Sequence, residues 1–385
     1  MSRKLHKFQT VAEYQAYSAS TDYTTPCVAV VEENNVIYYD YGDNKPQPNY
    51  TDFKVSTKSL VSDGGDTYGL GEKLCLNYIP SGVTSLEGAF SNWSSLEEVT
   101  CEIPSGVTNM INTFYYCSSL VTAPEIPSGV TSLYYTFGNC TSLVTAPKIP
   151  SGVTSLDATF YNCSSLVNAP EIPSGVTNMN NTFNYCSSLV TAPEIPSGVT
   201  SLYHTFRNCS NLVTAPKIPS GVTDMEYTFR SCTSLVNAPD IPSGVTVMEY
   251  TFGGCSSLVN APVIPSGVTS LYGTFYNCSS LVTAPKIPSG VTNMYGTFYN
   301  CSSLVTAPKI PSGVTNMNNT FNGCTSLKEV TFLHTNPPSY NRTLTDCSKL
   351  ETIYVPDSAV SAYKTATGWL EFASKIKPIS SKPSE

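Results

Sequence analysis

The phrase Ile-Pro-Ser-Gly-Val-Thr opens at Ile79, Ile103, Ile126, Ile149, Ile172, Ile195, Ile218, Ile241, Ile264, Ile287 and Ile310. The first step is 24 residues and every later one is 23. A fixed period of this length is the signature of a solenoid, in which each unit buries its apolar face only against its neighbours. The repeat text itself holds no reactive constellation. It reads as a scaffold, and the question becomes what the scaffold displays.

Within each unit the near-invariant letters mark the core. They are Ile and Val of the opening phrase, Leu or Met, Phe four residues later, and Leu shortly after Cys. Pro-Ser-Gly reads as a turn in which Pro presets φ and Gly permits positive φ. The i, i+4 spacing of Leu/Met and Phe predicts one helical or 3₁₀ turn. Leu-Val-Thr-Ala is β-prone and is expected to stack in parallel with its copies at about 4.8 Å per rung. The Pro residues that follow remove ladder donors, so each strand is expected to span only a few residues.

Eleven of the fourteen cysteines, Cys117 to Cys347, recur every 23 residues, and Trp93 fills the slot in the first unit. Zinc sites need clustered ligands, which one Cys per coil does not supply. Stacked side chains run parallel and do not face one another as a disulfide requires. The ladder is therefore expected to consist of buried free thiols acting as small hydrophobes. A Ser in that slot is expected to leave a poorly satisfied hydroxyl. Cys27, Cys75 and Cys101 fall outside the pattern.

Residues 1–58 are not repetitive and predict a small α+β docking module with a linker. Thr10 to Tyr17 carries a capping-box pattern that suggests a short helix. Cys27–Val31 and Val36–Tyr39 around Glu32-Glu33-Asn34-Asn35 suggest a hairpin. Gly42 to Asn49 reads as a linker and Ser62 to Asp66 as a turn. Residues 59–78 are assigned to an N-terminal cap, with Leu70 to Tyr78 over the first coil, 79–332 to the repeats, and 333–385 to a C-terminal cap. That last segment is expected to carry a helix from Asp357 to Ile376.

The pattern Val-Thr-x-Leu/Met-x-x-Thr/Ala-Phe-x-x-Cys-x-x-Leu resembles the BspA-like leucine-rich repeats of bacterial surface proteins. Leu96-Glu97-Glu98-Val99-Thr100-Cys101-Glu102-Ile103-Pro104 is nearest to that family's strand phrase. Leu327 to Phe332 and Leu350 to Pro356 resemble its ending. The resemblance implies an α/β solenoid with short parallel strands, a small α+β N-terminal module and an α-containing C-terminal cap. The Ala-Pro of the middle units stands where that family usually has β-branched residues. Ala12 to Tyr17, Thr25 to Glu32 and Val36 to Tyr39 resemble, more softly, the opening domain of phage proteins of gut Bacteroidetes, tail-associated ones included.

The letters that vary are the two after Leu/Met and the two between Phe and Cys. The residues singled out there are Tyr134, Tyr135, Tyr203, His204, Arg207, Tyr227, Arg230, Tyr250, Tyr272, Tyr276, Tyr295 and Tyr299. Because core letters are copied almost unchanged, these are expected to be exposed, in one stripe of roughly 50 Å at strand spacing. Tyr, Asn, Gly, Ser, His and Arg make up the usual composition of binding loops. Aromatic and Asn side chains also suit the apolar faces and hydroxyl edges of sugars. The competing reading is that exposed slots drift freely, against which Lys, Gln and Ala barely occur there. A second column, Glu102, Glu125, Lys148, Glu171, Glu194, Lys217, Asp240, Val263, Lys286 and Lys309, mixes signs and reads as a solvated face.

A net charge of −8 provides no basic footprint for nucleic acid, and no run of 18 apolar residues predicts membrane insertion. His6, His204 and His334 are scattered, and no cofactor, metal or catalytic motif accompanies them. The basic start, Met1 to Phe8, lacks the apolar core of a secretory signal. On that ground the leading expectation is a non-enzymatic receptor-binding component of a phage virion, released by host lysis. Its N-terminal module would dock into the virion, and its stripe would meet a cell-surface glycan or protein. The alternative is an adhesion or interaction protein of the bacterial cell surface.

Overall fold

The computed structural model describes residues 5–8, 27–31, 36–40, 54–57, 74–79 and 81–383. The helix expected at Thr10 to Tyr17, the linker at Gly42 to Asn49, the turn at Ser62 to Asp66 and the residues before Leu74 lie outside them. Strands β1 (Leu5–Phe8), β2 (Cys27–Val31), β3 (Val36–Asp40), β4 (Lys54–Thr57), β5 (Leu74–Tyr78) and β6 (Leu96–Val99) form one sheet in that order. β2 and β3 pair antiparallel with Val31 opposite Val36, as the hairpin reading requires. β5 and β6 pair in parallel and lead into the repeats.

From there the chain is an open α/β solenoid of stacked coils, one per repeat. Through the middle units the Leu-Val-Thr-Ala side is joined only by single parallel bridges such as Thr191↔Thr214 and Thr214↔Asn237. The neighbouring prolines limit each strand to that extent. Longer parallel strands return at the C-terminal end: β7 (Thr306–Ile310), which contains Pro308 but pairs with the proline-free β8 (Glu329–Phe332), then β9 (Thr352–Val355) and β10 (Ile376–Pro378).

The Leu/Met-to-Cys segment is not helical. In the sixth unit, alternate backbone N–H groups bond within the coil, Thr205 to Leu202 O at 3.0 Å and Cys209 to Phe206 O at 3.1 Å. The others reach the next coil: Leu202, His204, Phe206 and Asn208 donate to Asp224, Glu226, Thr228 and Arg230 carbonyls at 2.7–3.1 Å. The bonds of Thr205 and Cys209, unlike the one between them from Arg207 to His204 O at 3.2 Å, each close a tight turn whose third residue has positive φ, 56° at His204 and 59° at Asn208. That is the arrangement of a type II turn, which favours Gly or Asn at that place. The i, i+4 spacing of Leu and Phe thus comes from two successive turns. The positive φ lies here and not in Pro-Ser-Gly, whose glycines lie outside the left-handed region.

Two buried polar columns tie the coils together. Thr113, Thr136 and their equivalents to Thr343 are fully buried, and each Oγ1 donates to the Leu or Met carbonyl of the preceding coil at 2.7–3.1 Å. Each ladder cysteine from Cys117 to Cys347 places its Sγ 3.0–3.2 Å from the Phe carbonyl of the preceding coil. The slot therefore holds an acceptor, which corrects the expectation that a hydroxyl there would find none. Cys101 and the eleven ladder cysteines are free thiols. Beside them the phenylalanines from Phe90 to Phe321 stack with centroids 5.4–5.8 Å apart.

The C-terminal cap is shorter in helix than expected. A 3₁₀ turn (Asp357–Ala359) leads into α1 (Val360–Thr365), and Gly368 at φ 81° ends the segment before Trp369. Ile376 is not helical but begins β10, one further rung. Trp369 is fully buried against Phe332 and Tyr363, and its Nε1 donates to the Pro338 carbonyl at 2.9 Å.

If the threonine column carries stability, Thr228→Val costs about 1 kcal/mol in urea unfolding, since the Leu202 carbonyl loses one donor. The exposed Thr154→Val should lie within about 0.5 kcal/mol of the parent. Burial pushes the ladder thiols up, to about 12 at Cys255, so they stay protonated and inert. Mass-spectrometric mapping of native thiol labelling should find half-buried Cys101 modified before any of Cys117 to Cys324.

Candidate functional site

The variable letters sit on the two-turn segment, and the turn chemistry governs their orientation. In most units a Ser, Asn or Asp before the Leu or Met accepts the N–H two residues on, as Asn178 from Asn180, Ser201 from Tyr203, Asp224 from Glu226 and Asn293 from Tyr295; Val247 breaks the pattern. Such local bonds fix the approach to the first turn. The second letter of each variable pair then falls at positive φ. Asn112, Asn181, Gly273, Gly296 and Asn319 suit that conformation. Tyr135, Tyr227, Tyr250 and His204, with φ of 50–56°, do not. Bulky residues with positive φ are uncommon and mark a place where another interaction offsets the strain.

That interaction is aromatic packing between coils. Tyr115 contacts Tyr135, which contacts Tyr161, which contacts Tyr185, at centroid distances of 5.3–5.8 Å. Tyr227 and Tyr250 stack at 5.1 Å and 11°. Tyr250 meets Tyr272 edge-on at 5.0 Å and Tyr276 at 6.2 Å. Tyr272 then meets Tyr295 at 5.0 Å, and Tyr276 stacks on Tyr299 at 4.7 Å and 4°. Between the two tyrosine runs, Arg207 lies 5.6 Å from the Tyr185 ring and 5.7 Å from Tyr227. Arg230 lies 5.2 Å from Tyr227 and 4.9 Å from Tyr250. The strip is thus continuous from Tyr115 to Tyr299, about 40 Å at strand spacing.

All twelve singled-out residues lie in or beside this strip. Their expected full exposure is corrected: Tyr134 is exposed, at 41%, and the other eleven are half-buried because each ring covers its neighbour. Tyr116 and Tyr185, at 46% and 37%, are more open than most of them, and Tyr115 and Tyr161 bridge the upper run. Those four were legible as aromatic letters in the same slots. Glycine has a packing role here as well. A Cβ on Gly273, at φ 59°, would lie 2.4 Å from Tyr250 Cε1, so the ring occupies the space the missing side chain leaves.

The charge pattern is uneven. Burial, then the repulsion of Arg207 and Arg230, lowers His204 from its ordinary 6.5 to about 4, so its ring is neutral near pH 7. Arg207 Nη1 lies 3.3 Å from His204 Nδ1, while Arg207 Nε and His204 Nε2 are buried without a protein partner. Burial first, then Tyr116, pushes Tyr115 up to about 12. On the far side of the coil the column from Glu102 to Lys309 is solvated, and Val263 there is 85% exposed. No group of three His, Cys, Asp or Glu residues among the described residues could hold a metal ion. No helix among them is long and apolar enough to cross a membrane.

Stacked single-turn coils with a buried polar ladder and one aromatic strip define a solenoid repeat protein. The model of the BspA type leucine-rich repeat region matches overlapping stretches 73–190, 110–236, 179–305 and 245–367, and the chain belongs to that family. Its fold is similar to the crystal structure of a leucine-rich repeat protein from Bacteroides ovatus, at 21% identity and TM-score 0.52. That match covers 86% of this chain and 100% of the other. A leucine-rich cell surface protein from Faecalibacterium prausnitzii is also similar, at 22% identity and TM-score 0.47, over 80% and 93% of the two chains. No curated protein matches.

His204 offers a check on the strip. Tyr203, Tyr227, Arg207, Arg230 and Asp224 surround it. An unfolded His protonates near pH 6.5 and the folded ring only near 4, so stability falls as pH drops through that window. After screening of a half-exposed ring the loss is on the order of 1 kcal/mol. His204→Asn, which tolerates φ 56°, should flatten the fall in melting temperature between pH 6.5 and 4.

Proposed function

We propose that this chain is a non-enzymatic recognition protein of the bacterial cell surface that binds its ligand along the tyrosine strip. The observation that carries this reading is the run of tyrosines held at positive φ. Strain repeated at Tyr135, Tyr227 and Tyr250 is what a surface under selection for aromatic area would retain. Free drift would settle on Asn or Gly in those slots. Stacked aromatic rings with adaptable polar neighbours provide large contact area at little entropic cost. Family membership supports the surface location and lends nothing to the virion reading expected from the N-terminal residues. In the proposed arrangement the N-terminal strands attach the chain to its surface assembly, and the repeats project the strip.

Antibody raised against the chain should label intact, unpermeabilised cells of the producing organism. Its absence from the surface of those cells would overturn the location. The purified full chain should bind members of an array of glycans and extracellular proteins. Tyr227→Asn with Tyr250→Asn keeps the backbone conformation while removing both rings. The pair should lose at least tenfold in affinity, as expected when central aromatic anchors are removed. The stacking given up is about 1 kcal/mol, so the melting temperature should fall by only a few degrees. Undiminished binding by the double variant would show that the strip is not the contact surface.

A further inference from the structure

The strip changes character at its centre. Arg207 and Arg230, in the sixth and seventh coils, alternate with tyrosines in the order Tyr185, Arg207, Tyr227, Arg230, Tyr250. Each guanidinium is held between two rings, and neither forms an ion pair with a carboxylate among the described residues. Among the described residues the only hydrogen bond to either guanidinium is that between Arg207 Nη1 and His204. Arg207 Nε and His204 Nε2 are buried without a protein partner. In a chain of net charge −8, two half-buried cations fixed side by side without counter-charge form a local exception.

The neighbouring column differs in kind. After Tyr203 in the sixth coil it carries Glu226 in the seventh and Glu249 in the eighth, with Asp224 just before Glu226. Burial, then Glu249 and Asp224, raises Glu226, and Glu249 Oε1 already accepts from Ser270 Oγ at 2.8 Å. Along this stretch the surface therefore offers guanidinium donors, a half-buried stacked tyrosine pair, and carboxylate acceptors. A ligand that matches it needs an anionic group, an apolar face, and hydroxyl donors on the opposite side.

Resting on the reading of the strip as a binding surface, we propose that Arg207, Arg230, Tyr227, Tyr250, Glu226 and Glu249 form a subsite for an acidic sugar unit of a glycan. The sugar's carboxylate or sulfate ester lies on the arginines, where the planar fork suits either anion. Its apolar side lies against the accessible part of the stacked Tyr227–Tyr250 pair, and its hydroxyls donate to Glu226 and Glu249. An acidic peptide fits worse, because its carboxylates bring no donor for the acidic column and would be repelled by it. The tyrosines on either side then take the flanking sugars, so the acidic unit sets which part of the polymer sits at the centre.

The test is binding of the full chain to an array of oligosaccharides in matched sets: uronate-containing, sialylated, sulfated and neutral, with acidic peptides alongside. The expected result is retention of acidic glycans, with carboxyl-reduced or desulfated counterparts bound at least tenfold more weakly. The carboxylated and sulfated arms then show which anion is used. Arg207→Gln with Arg230→Gln should lose that discrimination while keeping any weak binding of neutral sugars. Glu171→Gln, in the solvated column outside the strip, should leave both the binding and the preference for anions unchanged. Equal binding of acidic and neutral glycans, an unaffected arginine variant, or binding of acidic peptides alone would overturn the subsite while leaving the strip as a binding surface. Binding that also survives Tyr227→Asn with Tyr250→Asn would overturn both.

Discussion

The structure depends on how the backbone N–H groups of the Leu/Met-to-Cys segment are shared. Every second one closes a tight turn in its own coil, and every other one bonds to the next coil. A continuous helix would spend them all internally and leave nothing to join the coils. A continuous strand would spend them all externally and could not turn. The division places positive φ at the third residue of the turns that start at Leu/Met and at Phe, and brings the Leu/Met and Phe carbonyls inward with spare acceptor capacity. The buried threonine hydroxyls and cysteine thiols of the following coil take up that capacity. In an interior this dry, an unmatched carbonyl is costly, so Thr and Cys recur as faithfully as the apolar letters.

Much of this was legible in the sequence, and the parts that were not have identifiable causes. Exact copying of Val, Leu, Phe and Cys exposed both the period and the core, because in a stack each slot meets only its own copies. The cysteine ladder could be read as free thiols from the parallel direction of stacked side chains. The two turns were hidden because Leu and Phe happen to fall at helical spacing. The contrary signal was the alternation of Asn and Gly at positions such as Asn181, Gly273 and Asn319, diluted by the tyrosines that share the slot. Pro-Ser-Gly misdirected the search for positive φ, since a glycine in a turn is compatible with either sign.

The candidate site was legible as a set of residues and not as a surface. Variable letters between invariant ones marked the strip, but not that the rings would tile. Tiling changes their meaning. Tyr250 lies over Gly273 of the next coil and beside Tyr227 of the previous one, so a letter in one unit constrains letters in both neighbours. Asn in these slots is largely explained by the backbone and says little about a ligand. Tyrosine and histidine at the same φ are not explained that way, and the argument for recognition rests on them.

A repeating scaffold has a particular difficulty in recognition that the central arginines address. If every coil displayed the same aromatic pair, a polymeric ligand would find equivalent positions one rung apart, and nothing would fix its register. Affinity would rise with length while specificity did not. A charged island interrupts that equivalence, because an anion seated on Arg207 and Arg230 cannot move by one coil without leaving its counter-charge. To the sixth and seventh coils the solenoid adds cations held by Tyr185, Tyr227 and Tyr250. The coils on either side display tyrosines and asparagines without a cation, the eighth adding Glu249. Length of contact and choice of position are thereby assigned to different residues of one strip, which a scaffold of near-identical units achieves by changing only the letters its core leaves free.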